Sequence, residues 1–142
     1  MSVKDPASAS PAPVPPFLID HPDAQSVPLV FASPHSGRDY PADFVDGARL
    51  DPVSLRRSED GFVDDLFAAA PEFGAPLLRA TFPRAFIDAN REPFELDQGM
   101  FSDKLPDYVN TDSSRVAAGL GTIARVVSSG QDIYPRKLTF SE

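Results

Sequence analysis

His35 stands in Pro34-His35-Ser36-Gly37, directly after the apolar run Pro28-Leu29-Val30-Phe31-Ala32-Ser33. An imidazole is thus placed where a buried strand ends and a tight turn begins, the position from which α/β sheets present ligand-binding groups. His35 is a candidate metal ligand or catalytic group, set against the plainer reading of a histidine that hydrogen-bonds a neighbouring loop. Downstream, Asp60 and Asp64 are four residues apart at the start of a predicted helix and so share one face, with Glu59 and Asp65 beside them. Carboxylates near a helix N-terminus are held as anions, the form a divalent metal requires, although acidic residues are also common there for the sake of the helix alone. A histidine upstream of such a carboxylate suits a zinc site built from His and carboxylate ligands. In a third segment, Asp88, Asn90 and Arg91 leave an apolar run together. A guanidinium beside an amide is a competent two-point clamp for a carboxylate, while Asp-x-Asn also suits a plain turn.

These side chains need a scaffold, and the pattern predicts an α/β one. Val27 to Ser33 reads as a short strand apolar on both faces, with His35 on its exit loop and Gly37 allowing the sharp turn. Phe17-Leu18-Ile19 reads as an edge element of the same sheet. Asp51-Pro52 is a helix-start or turn signal. Arg57 to Ala70 carries a helical apolar face through Phe62, Val63, Leu66 and Phe67, capped by Ser58-Glu59-Asp60 and stopped by Pro71 and Gly74. Pro76 to Phe82 and Ala85 to Asp88 read as two strands or one interrupted pair, and Thr122 to Val127 as another strand. Glu92 to Asn110, broken by Pro93, Gly99 and Pro106, reads as a long binding loop or lid. Gly130 turns the chain into Ile133-Tyr134, and the residues approaching Glu142 read as the start of a helix. Alternation of helix and strand without repeats or heptads indicates mixed α/β layers.

The length of 142 residues fits one domain with an ordinary apolar content of 42%. Residues 1–16, rich in Pro, Ala and Ser, read as a disordered tail ahead of a domain over 17–142. A formal net charge of −8 opposes nucleic-acid binding. Local basic groups remain, Arg84 with Arg91 and Arg125 with Arg136 and Lys137, and arginines concentrated in one cleft can bind an anion. No apolar stretch is long enough to cross a bilayer and no signal core precedes the domain, so the cytoplasm is the expected compartment. Having no cysteine, the chain must hold any metal with His and carboxylate. His21, the other histidine, reads as a surface residue in a proline-flanked loop.

Four stretches in order resemble the N-formylglutamate amidohydrolase family: Ser33 to Gly37 with Tyr40-Pro41, Glu59 to Phe67, Arg84 to Arg91, and Gly119 to Ile123 with Gly130 and Ile133 to Leu138. The family is related to zinc carboxypeptidases and aspartoacylase. The resemblance implies a mixed sheet with flanking helices, phosphorylase/hydrolase-like and incomplete at the C-terminus. It also implies zinc-dependent hydrolysis of N-formyl-L-glutamate to formate and L-glutamate, a late step of histidine degradation. On that basis His35 is the first zinc ligand and Asp60 the carboxylate ligand, with Glu59 as the alternative. Asp64 supports the site, Asn90 and Arg91 grip one substrate carboxylate, and Arg84 takes the second.

The resemblance also implies a further histidine and a glutamate base downstream, for which this sequence has no counterpart. The general base is thus expected beyond residue 142, and the chain is expected to be an inactive part of such an enzyme, its zinc site incomplete. The expected partner is a small anionic substrate, N-formyl-L-glutamate or a similar N-acyl acidic amino acid, with no nucleic acid and no membrane. The alternative reading is a non-catalytic module that binds carboxylate metabolites through Arg84 and Arg91. A third is an incomplete domain that does not fold stably, its strand edges exposed.

Overall fold

The computed structural model describes residues 14–142, so most of the predicted tail lies outside the described residues. A small mixed sheet carries the fold. Strand β1 is Phe17–Asp20, β2 is Phe31–Ser33 and β3 is Leu77–Ala80, in the spatial order β1-β3-β2. β1 runs antiparallel to β3 with Phe17 opposite Ala80, and β2 runs parallel to β3 with Phe31 opposite Leu77. Pro15 and Pro16 extend the first pairing, since the Thr81 hydroxyl and amide donate to their carbonyls. β1 is the edge element that the Phe17-Leu18-Ile19 run predicts. One face of the sheet, bearing Phe17, Ile19, Leu78, Ala32 and Ala80, lines an open apolar groove of about 410 Å³.

Among the described residues four short helices flank the sheet: α1 is Ala42–Gly47, α2 is Pro52–Leu55, α3 is Val63–Leu66 and α4 is Ser114–Ala117. Asp51 caps α2 as the Asp-Pro signal predicts, its carboxylate accepting from the Val53 and Ser54 amides. Gly130, at φ +78, makes the turn before Ile133. His21 is exposed. Two buried clusters hold the layers together. Phe44, Leu55, Ala85, Ala124, Val127 and Ile133 form one, and Leu96, Met100, Phe101, Leu105 and Val109 form the other. Tyr134 packs against both.

Four predicted elements take other forms. The helix expected over 57–70 breaks into a 3-10 turn at Arg56–Ser58, helix α3, and a 3-10 turn at Ala70–Phe73. The cause is tertiary: the Asp60 amide donates to the His35 carbonyl at 3.0 Å, and Phe62 adopts φ +64, a left-handed conformation costly for a bulky side chain. The predicted apolar face is accordingly open, with Phe62 and Leu66 exposed. Ala85 to Asp88 is not a strand, because the Phe86 and Ile87 amides both turn back to the Pro83 carbonyl. Thr122 to Val127 pairs only through isolated bridges, Leu120 with Ala124 and Val126 with Asp132. At the other end of the chain, residues 138–142 form a turn rather than a helix.

Candidate active site

The turn after β2 and the loop before α3 are joined by Ser36. Its hydroxyl donates to the Asp60 carbonyl at 3.0 Å and accepts from the Asp64 amide at 3.3 Å and from the Ser33 hydroxyl at 2.5 Å. Together with the bond between the Asp60 amide and the His35 carbonyl, this fixes the two candidate ligands relative to each other. Gly37 locks the same turn against the end of β3: a Cβ there would lie 2.0 Å from the Phe82 carbonyl oxygen. Only glycine permits that approach. Nothing in the sequence reading had singled out Ser36 for this role.

His35 is 6% exposed and lies between two carboxylates. Its Nε2 is 2.8 Å from Oδ1 of Asp88, and its Nδ1 is 3.3 Å from Oδ2 of Asp60. Asp88 is buried, and burial by itself would raise its pKa. The hydrogen bond with His35, the Asn90 backbone amide and the positive charge of Arg84 outweigh that and hold the carboxyl well below the ordinary carboxylate value. An ionised Asp88 accepts the Nε2 proton and fixes the ring tautomer. Nδ1 faces Asp60, whose side chain is half-exposed.

Arg84 and Arg91 stand on either side of Asp88 in sequence, four residues before it and three after, in a segment of turns. Nε of Arg84 and Nη2 of Arg91 each lie 3.0 Å from Oδ2 of Asp88. The remaining nitrogens of Arg91 donate to the Leu120 carbonyl at 2.9 Å and the Asn90 carbonyl at 2.7 Å. All three Arg91 nitrogens thus have internal partners, which tie Asp88 to the Leu120 and Asn90 backbone. Asn90 is exposed on the surface, its amide on Asp88. Arg84 keeps part of its guanidinium free: Nη1 is 3.9 Å from Oδ1 of Asp60, and the residue borders a cleft of about 180 Å³ together with Asp60 and Asp88.

Glu59 turns away from His35. It accepts from the Tyr40 hydroxyl at 2.7 Å and from two nitrogens of Arg56. Burial, then the bond to Glu59, raises the Tyr40 pKa and keeps that hydroxyl a donor. Asp64 is also committed, both its oxygens lying 2.9 Å from Nη2 of Arg38. Of the two acidic neighbours the sequence left open, Asp60 is the one that faces the imidazole. The loop carrying it contains the strained Phe62, stacked under the Arg38 guanidinium at 5.2 Å.

The backbone behind Asp88 is held by the Gly119 to Thr122 segment. The Asp88 amide donates to the Thr122 carbonyl at 2.8 Å, and the Thr122 amide to the Glu95 carbonyl at 2.7 Å. Gly121 permits this contact, since a Cβ would lie 2.3 Å from the Glu95 carbonyl oxygen.

The donor set fits a zinc ion in part. Tetrahedral zinc with ligand bonds of about 2.0 to 2.1 Å separates adjacent ligand atoms by roughly 3.3 Å, and Nδ1 of His35 and Oδ2 of Asp60 are 3.3 Å apart. A carboxylate on the second ring nitrogen is the usual support of a zinc-binding histidine. Catalytic zinc generally takes three protein ligands, and among the described residues no group of three His, Cys, Asp or Glu side chains is arranged to hold a metal.

Comparison with known proteins places the chain in a family. The family model described as N-formylglutamate amidohydrolase matches residues 27–142. The crystal structure of N-formylglutamate amidohydrolase from Ralstonia eutropha JMP134, determined at 2.00 Å resolution, is 41% identical in sequence and superposes with a TM-score of 0.80. The match covers 90% of this chain and 45% of that one, so the chain spans somewhat under half the length of this relative. No curated protein gives a significant match. With a family model matched over most of its length and this solved relative, the chain belongs to the N-formylglutamate amidohydrolase family.

Proposed function

We propose that this chain contributes the His35–Asp60 half of a zinc site and the Arg84 cleft of an enzyme hydrolysing N-formyl-L-glutamate to formate and L-glutamate, in histidine degradation. The observation that carries the reading is the buried His35, held by Asp88 on one nitrogen and facing Asp60 with the other.

Hydrolysis breaks the bond between formyl carbon and nitrogen, adding the oxygen of water to carbon and a proton to the departing amine. Zinc, when bound, supplies Lewis-acid polarisation of the formyl oxygen and acidification of a water. Asp88 keeps the proton on Nε2 of His35, so that Nδ1 stays a lone-pair donor. Arg84 offers its half-free guanidinium to a carboxylate of the glutamyl group, and the anion of Asp88 holds that arginine at the cleft.

Two protein donors hold zinc weakly, so the proposal includes that the chain alone does not turn over substrate. Formate release from N-formylglutamate with added zinc tests both parts. Brisk turnover by the purified chain overturns the inactivity, and zinc binding that persists unchanged in His35→Ala overturns the site. A binding module without catalysis is the second reading, favoured by the two-donor set. Because Arg91 is internally satisfied, it rests on Arg84, and calorimetry with glutamate that is unaffected by Arg84→Gln overturns it.

No helix is long and apolar enough to cross a membrane among the described residues. The net charge of −8 opposes a nucleic-acid partner.

A further inference from the structure

A second cleft, of about 370 Å³, is bordered by Arg49, Arg125, Tyr134, Arg136 and Lys137, with Asp132 as its acidic member. The chain has 21 acidic and 13 basic residues, so a cation without a carboxylate partner is against the odds of composition. Arg125 is occupied by Asp97 at 2.9 Å and Asp132 at 3.0 Å. Arg136 directs both terminal nitrogens to Glu142. Arg49 and Lys137, by contrast, form no ion pair among the described residues, and both stand at this cleft. Concave placement focuses their field. Tyr134 adds a hydroxyl whose pKa is pushed up to about 12 by burial, so it remains a proton donor.

We infer that this cleft binds a small oxyanion, a carboxylate or phosphate group held by Arg49 and Lys137. The site is separate from the Arg84 cleft. Ala124, Val126 and Ser128 line the Arg84 side, whereas Arg125 lines the basic side. Alternation along an extended segment puts successive side chains on opposite faces, so one stretch of backbone forms a wall of both.

Inorganic phosphate and glutarate, titrated separately into the ¹⁵N-labelled full chain at low ionic strength, test the inference. Saturable amide shifts over residues 97–100 and 132–138 are expected. Affinity should fall about fivefold or more in Arg49→Gln and in Lys137→Gln, stay unchanged in the charge control Lys104→Gln, and decline with added salt. The tighter of the two probes assigns phosphate or carboxylate as the ligand class. Shifts that do not saturate, shifts confined to the Arg84 cleft, or affinity untouched by both substitutions overturn it. The wild-type shift map decides the question even where a variant fails to fold.

Discussion

Nε2 of His35 lies 2.8 Å from Oδ1 of Asp88, a residue 53 positions further along the chain. The guanidinium groups of Arg84 and Arg91 and the Asn90 amide converge on the same carboxylate. Asp88→Asn keeps the shape but leaves these cations without their buried counter-charge. Loss of one partner of a buried pair costs about 3 to 5 kcal/mol, and loss of the group that orients a metal-binding histidine lowers affinity about 10- to 100-fold. Urea unfolding and zinc competition with a chromophoric chelator should show both effects. A variant with unchanged zinc affinity would place the orienting role elsewhere.

Asp60 and Glu59 are neighbours with opposite commitments. Asp60→Asn should weaken zinc binding strongly. Glu59→Gln should leave it within about twofold while lowering stability by about 1 kcal/mol through its Tyr40 and Arg56 bonds. The reverse ranking in the same chelator assay would make Glu59 the ligand.

Ser36→Ala removes three hydrogen bonds and leaves the buried Asp64 amide unpaired. A loss of about 1 to 3 kcal/mol is expected in urea unfolding. Because this hydroxyl joins the His35 turn to the Asp60 loop, zinc affinity should fall with it.

Gly37→Ala and Gly47→Ala form a controlled pair. A methyl at position 37 collides with the Phe82 carbonyl, whereas nothing lies within 4 Å of one at position 47. Overpacking at the first should cost about 1 to 3 kcal/mol or more, and the second, at the end of α1, should be neutral or gain up to about 1 kcal/mol. Thermal melts of the two proteins side by side measure the difference.

Tyr134 gives the chain an alkaline limit. Burial raises its folded-state pKa from 10.0 to about 12. Above pH 10 the unfolded chain releases a proton that the folded one retains, so stability falls as pH rises from 10 toward 12. Tyr134→Phe should lessen that slope in unfolding experiments across this range, Tyr40, whose pKa is also raised, supplying the rest. An unchanged slope would assign it to other groups.

The sequence makes legible what depends on neighbours along the chain. The apolar run before Pro34 places His35 just past β2, although the strand is only Phe31–Ser33 and Leu29 and Val30, expected to be buried in it, are exposed; Asp51-Pro52 starts α2, because helix capping is local. Contacts across long separations are not written in the pattern. Gly61 and Phe62 sit inside what scans as a helix, but the bond from the Asp60 amide to the His35 carbonyl draws this loop out of helical register. Arg91 illustrates the same limit. A guanidinium next to Asn90 has the chemistry of a substrate clamp and of an internal ion pair alike, and only the fold shows Asp88 and the Leu120 carbonyl in place to use it up. The Arg84, Asp88 and Arg91 spacing of four and three residues is the signal that, in a segment that turns instead of running as a strand, points to the ion-pair outcome.

The contact at Gly37 means that His35 is registered to the sheet by main chain meeting main chain, without a side chain as intermediary. Substitutions in the surrounding side chains can therefore reshape the cleft while the backbone of the His35 turn keeps its place on the sheet.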